Sequence, residues 1–174
     1  MNVHQPAIVV GVSDSEASAT ALRWAADEAS RRHAMLRVVR SWDAEFTAPY
    51  APAAGHTPGE QRAVASAGLA ALMRGTFGSV VPAGVTAELA EGVAERTLID
   101  RSAAADLLVL GSAAPPMAAQ RTIGRSIGPV VRACLSRAQC PVVVVWAGQP
   151  GTRPQPRPQP TGERPGRREL VGTA

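Results

Sequence analysis

Asp106-Leu-Leu-Val-Leu-Gly111-Ser112, followed after a small-residue loop and one helix-like segment by Cys140-Pro-Val-Val-Val-Val145, is the stretch that decides the fold. Two continuous apolar runs with a helix between them read as strand, crossover helix, strand, the unit of a parallel sheet buried on both faces. A loop from Gly111 to Ile123 follows the first run. In an open α/β sheet ligands bind at the carboxyl ends of the strands, where backbone N–H groups can hold phosphate. The crossover helix is expected from about Arg125 to Ser136, and the last strand from Pro141 to Val145.

The same alternation extends back to the start of the chain. Ala7-Ile-Val-Val-Gly-Val12 is a short β-branched run, a first strand that ends in Ser13-Asp14-Ser15, a cluster suited to a turn and a helix N-cap. Glu16 to His33 reads as helix, with Ala17, Ala21, Trp24, Ala25 and Ala29 recurring at three- and four-residue steps. A second strand is expected over Met35 to Ser41. Trp42 to Glu60 then carries Pro49, Pro52, Pro58, Gly55 and Gly59, which read as a long loop, either a lid or an insertion. Gln61 to Met73 gives a second helix, Val85 to Ala90 a third strand, and Ala94 to Ala104 a third helix with Leu98 and Ile99 on its apolar side. Leu107 to Leu110 is then the fourth strand. Five strands alternating with four helices predict an α/β fold, a doubly wound five-stranded parallel sheet of flavodoxin or Rossmann-like type.

Composition removes several functional classes. The eighteen basic residues are all arginine, so a Gly-Lys-Ser/Thr phosphate loop and every lysine-based covalent mechanism are excluded. Five of the eighteen, with two acids, lie beyond residue 150; that segment carries three of the four net positive charges and the remainder is near neutral. A basic face with interleaved aromatics is missing, which argues against a nucleic-acid-binding domain. Cys134 and Cys140 lack the spacing of a zinc site with histidine and read as small core residues. No apolar run is long enough to span a bilayer and the start is not built like a signal peptide, so a cytoplasmic location is expected. Beyond about Ala147 the chain is rich in Pro, Gly, Arg and Gln, so residues 1–147 are expected to form the domain and 148–174 a disordered tail.

Ile8-Val-Val-Gly-Val-Ser-Asp-Ser-Glu-Ala-Ser-Ala-Thr-Ala-Leu-Arg-Trp-Ala25, Ala94-Glu-Arg-Thr-Leu98, Ala105-Asp-Leu-Leu-Val-Leu-Gly-Ser112 and Cys140-Pro-Val-Val-Val-Val145 together resemble the universal stress protein family, in that order and spacing. The resemblance covers about residues 5 to 146. It implies strand order 3-2-1-4-5, a homodimer joined through the last strand, here Val142 to Val145, and a non-enzymatic role in survival under stress. It also implies ATP, with Mg²⁺, as the cofactor of those members that bind nucleotide through a Gly-x2-Gly-x9-Gly-Ser/Thr loop; other members bind none. An apolar strand at a sheet edge, usually covered or paired, favours a dimer independently.

Carried over residue by residue, Gly111 matches the first glycine of that loop and Ala114 stands where the second belongs. Gly124 is in register with the third, followed by Arg125 and then Ser126; Gly128-Pro129 competes for that place and fits the family's helix length better, measured back from Cys140. Pro115 and Pro116 remove two amide donors from a site that works by amide donation. Ser13 replaces the acid that contacts adenine in ATP-binding relatives, with Asp14 one place off. If nucleotide binds, Gly111, Ser112, Gly124, Arg125 and Ser126 hold the phosphates and Ser13 and Val39 line the base. The loop is thus partly degenerate, though Arg121 and Arg125 supply charge and arginine is a competent phosphate ligand. A dimeric interaction protein without nucleotide and a weak ATPase are the alternatives. No Ser-His-Asp, Cys-His or paired-carboxylate arrangement is visible for other enzymatic chemistry.

Overall fold

The computed structural model describes residues 5–43, 57–113 and 127–147. Five strands, β1 (Ala7–Gly11), β2 (Met35–Trp42), β3 (Val85–Glu91), β4 (Leu107–Ala113) and β5 (Val142–Ala147), form one sheet in the order β3-β2-β1-β4-β5. All four pairings are parallel, with Ile8 opposite both Leu36 and Leu107 at the centre. Four helices connect them: α1 (Glu16–Arg32), α2 (Pro58–Phe77), α3 (Ala94–Ser102) and α4 (Pro129–Arg137). The expected doubly wound sheet and its strand order are therefore present.

Side-chain alternation along each strand divides the core into two layers. Ile8, Val10, Leu36, Val38, Leu107 and Val109 pack with α1 and α2 on one face. Val9, Val39, Leu108 and Leu110 pack with Leu98 of α3 and Val131 and Cys134 of α4 on the other. The central strands β1 and β4 are buried along their apolar runs because both faces are covered.

Helix α1 begins where Ser15, in extended conformation, accepts a bond from the amide of Ser18. It ends at His33, whose left-handed backbone (φ 51°) lets the amide of Ala34 reach the carbonyl of Ala29. Apart from Leu22, its buried face is made of small residues, Ala17, Ser18, Ala21, Ala25 and Ala29. At Ala17 and Ser18 this lets the backbone of the first turn come against Gly111 of β4.

Four expected boundaries are corrected. Helix α2 starts at Pro58, not Gln61, and runs to Phe77. Pro58 and Gly59, expected to break structure, fall in its first turn, where proline's missing N–H costs nothing and Thr57 and Glu60 form a reciprocal capping box. Trp42, expected in the long loop, closes β2 opposite Glu91. Gly111 and Ser112, expected in a loop, lie in β4, which pairs with β5 as far as Ala113 and Ala147. Helix α4 starts at Pro129, not near Arg125, because extended Gly128 (ψ 160°) and a proline at the first helical position define the entry there. The candidate residues Gly124, Arg125 and Ser126, most of the expected lid or insertion, and the expected tail from residue 148 lie outside the described residues.

Candidate functional site

Chains leave β1 and β4 toward opposite sides of the sheet, and the divergence opens a cleft of about 210 Å³ at the carboxyl ends of these strands. Gly11, Val39 and Leu110 line it from the strands, Leu98 from α3 and Val131 from α4. A side chain at residue 11 would meet Leu98 and Leu110 at 2.8 Å, so this glycine keeps the strand end open to its neighbours.

The polar wall is a cluster of three hydroxyls at the start of α1. Ser13 and Ser18 Oγ are 3.0 Å apart, Ser15 and Ser18 Oγ 3.1 Å, and Ser13 Oγ donates to Ser15 Oγ at 3.1 Å. The amide of Ser13 also donates to Ser18 Oγ at 2.9 Å. Hydroxyls can donate or accept by rotation, so this wall adapts to either kind of ligand atom. The positive end of the α1 dipole adds to its preference for electron-rich groups.

Asp14, one place from the position where the resemblance sets an acid, is not among the residues lining this cleft. Both its oxygens are held by the guanidinium of Arg40, in a bidentate pair at 2.5 Å. The hydrogen bond from Arg40 holds the Asp14 carboxyl below its ordinary range, against a smaller opposing effect of burial. Arg40 is itself a lining residue of the cleft. The pair rests on α2 at Gly68, where a β-carbon would lie 2.5 Å from Arg40 Nη1 and 2.6 Å from Asp14 Oδ1.

Of the residues singled out in the sequence, Ser13, Val39 and Gly111 meet at this cleft. Val39 is only 1% exposed and its carbonyl accepts the amide of Val12 at 2.9 Å, so its backbone is already engaged in holding β1 to β2. Gly111 has a packing duty: a β-carbon there would sit 2.5 Å from the carbonyl carbon of Ala17 and 2.9 Å from the amide nitrogen of Ser18. Ser112 is buried within β4 opposite Trp146 and is not among the residues lining the cleft. Sequence reasoning missed Arg40, Ser18 and Gly68. The signals were a charge inside the apolar run of β2 and a glycine inside a helix.

A larger hollow, about 660 Å³, lies at the opposite end of the sheet beside Met35, Phe77 and His33. It faces the carboxyl-terminal ends of α1 and α2, where the helix dipoles repel anions, so it is the poorer candidate for a phosphorylated ligand. The cysteines play no part in either. Burial pushes the Cys134 thiol up to about 11, helped by the nearby charge of Glu95, and burial with the charge of Asp106 raises Cys140. Among the described residues no group of three or more His, Cys, Asp or Glu is placed to hold a metal ion, and no helix is long and apolar enough to cross a membrane.

Comparison with known proteins agrees with the fold. A universal stress protein of Mycobacterium tuberculosis is 30% identical over 143 residues, covering 79% of this chain and 46% of that protein. The chain thus spans about half the length of the curated relatives it matches. A universal stress protein solved in complex with cAMP superposes with a TM-score of 0.58 at 20% identity, over 83% of this chain and 98% of the other. The universal stress protein from Archaeoglobus fulgidus in complex with dAMP gives 0.55 at 23% identity, over 82% and 99%. These two likenesses concern the fold. The sequence pattern of the universal stress protein family matches residues 6–145, from the start of β1 into β5, and the chain belongs to that family.

Proposed function

We propose that the cleft between β1 and β4 binds the base end of an adenine nucleotide, and that the chain is a non-enzymatic, nucleotide-responsive module acting in a stress response. The observation that carries this reading is the hydroxyl cluster of Ser13, Ser15 and Ser18 facing Val39 across a cleft at the sheet's switch point. At about 210 Å³ the cleft is smaller than the roughly 300 Å³ of a typical small-molecule site, so it suits part of a nucleotide rather than all of it. The phosphates then extend toward Gly111, Gly124, Arg125 and Ser126, with a divalent ion such as Mg²⁺ held by ATP itself, while Ser112, buried in β4, has no contact with them. Relatives in the fold were solved with cAMP and dAMP, which supports an adenine ligand here. Described residues lining the cleft include no histidine, cysteine or carboxylate, which supports binding over catalysis. Isothermal titration with AMP and with ATP and Mg²⁺ tests the reading; absence of heat up to millimolar ligand sinks it.

A second element of the proposal is a homodimer through β5. All six residues from Val142 to Ala147 are half-buried at a sheet edge, with no strand beyond it among the described residues. The other edge, β3, carries Glu88 and Glu91, and Glu88 is bound to Arg101, so that edge is guarded by charge. An apolar edge left bare is an association site, and a dimer that binds partners without nucleotide is the alternative if titration fails. Light scattering across a concentration series decides the dimer: a mass of 18.0 kDa throughout overturns it. On this proposal residues 1–147 are the cytoplasmic working domain and 148–174 a solvated appendage.

A further inference from the structure

We propose that Arg40 is an anion-recognition residue of the cleft, and that Asp14 is its exchangeable stand-in, displaced when a phosphate arrives. The proposal rests on reading this cleft as a ligand site. Its basis is an asymmetry within one ion pair: the Arg40 side chain is 9% exposed, whereas that of Asp14 is 68% exposed. A guanidinium taken so far out of water needs a counter-charge at all times. Its counter-charge is the exposed side chain of Asp14, which can rotate into solvent while the turn from Ser13 to Ser15 stays hydrogen-bonded to Ser18 and no core is unpacked.

The surroundings allow exchange. Asp14 lies at one end of a groove of about 270 Å³ walled by Glu16, Gly68, Ala71 and Leu72, while Arg40 also lines the cleft on the other side of the turn. Gly68 keeps that groove open at the pair. In the middle of α2 a glycine weakens the helix relative to alanine, yet here a methyl group would collide with both charged heads. Asp14 uses both oxygens against both terminal nitrogens of Arg40, the fork geometry that a phosphate matches equally well. Glu16 on the groove wall limits how many anionic groups can approach, which favours a single phosphate or diphosphate over a polyanion.

Pyrophosphate is the probe, because it needs no base recognition. Binding is followed by isothermal titration for the full chain, D14N and R40M, with circular dichroism confirming the fold of each. The proposal expects D14N to bind pyrophosphate about tenfold or more tightly than the unaltered chain, and R40M to lose binding. If unpaired Arg40 prevents D14N from folding, the comparison of R40M with the unaltered chain decides alone, since removing Arg40 strands only an exposed carboxylate. Equal affinities across these proteins, or no binding by any of them at several millimolar, overturns it. AMP and adenosine titrated alongside keep the two readings apart. Tightened pyrophosphate binding with no binding of either nucleoside compound keeps this proposal and ends the adenine reading. Equal binding of AMP and adenosine by all three proteins keeps the adenine reading and ends this one.

Discussion

Gly111 of β4 lies directly against the backbone of Ala17 in α1, close enough that no β-carbon fits between them. The contact fixes how near the first turn of α1 comes to the sheet, and with it the position of the hydroxyls that wall the cleft. Because the obstructing atoms are backbone rather than the tip of a flexible side chain, Gly111→Ala should move the helix or distort the strand. A loss of about 2–3 kcal/mol is expected, at the upper end for overpacking. Urea unfolding measures it; a midpoint unchanged from the parent protein would mean that α1 rides more loosely on β4 than the geometry implies.

Removing the N-cap tests the same corner from the helix side. Ser15 accepts from the amide of Ser18 and belongs to the hydroxyl cluster. Ser15→Ala should cost about 1 kcal/mol of stability. It should also weaken adenine-nucleotide binding if that ligand uses the cluster. Thermal unfolding and titration read the two effects separately, and a loss of affinity with no loss of stability would point to direct ligand contact.

The duty of Gly111 also explains what could be read from the sequence and what could not. Strand order and helix count follow from apolar runs such as Ile8-Val-Val and Val142-Val-Val-Val145, whose burial requires helices on both faces. Gly111 reads locally as the first residue of a loop, because the reason for a glycine inside β4 is a partner, Ala17, far away in sequence. Pro58 and Gly59 read as breakers, since the capping box that turns them into a helix start depends on Thr57 and Glu60 acting together. Arg40 is the hardest case. One charge in a strand suggests an exposed face, and only the fold brings Asp14 and Gly68 to it.

Cys134 offers a test of the core between α3, α4 and the sheet. It is fully buried and its thiol is raised to about 11, chiefly by burial. A disulfide reagent at pH 8 should leave it untouched in the folded protein and modify it once urea is added, while half-buried Cys140 reacts first. The linkage follows: a folded pKa above the unfolded value of 9.0 means the contribution to stability is fully present below pH 9 and is lost as pH rises toward 11. Rapid labelling of Cys134 under native conditions would show that α4 opens readily from the sheet.

Acid should act through the other end of the charge scale. Arg40 holds the folded pKa of Asp14 below its ordinary 3.8, so the pair stabilises the fold above that pH, and its contribution is lost as pH falls through the folded value. Glu28, bound by Arg32 and Arg31 on the surface of α1, is lowered in the same direction and contributes to the same decline. Asp14→Asn removes one of these titrations while leaving the other. Its unfolding midpoint should be lower than that of the parent at pH 7 and should converge on it as the pH falls below 3.8, because the parent then loses what the variant never had. Chemical denaturation at several pH values reads this directly. A constant gap between the two proteins from pH 7 to pH 2 would mean that the charge of Asp14 contributes nothing, and Arg40 would then draw its counter-charge from elsewhere.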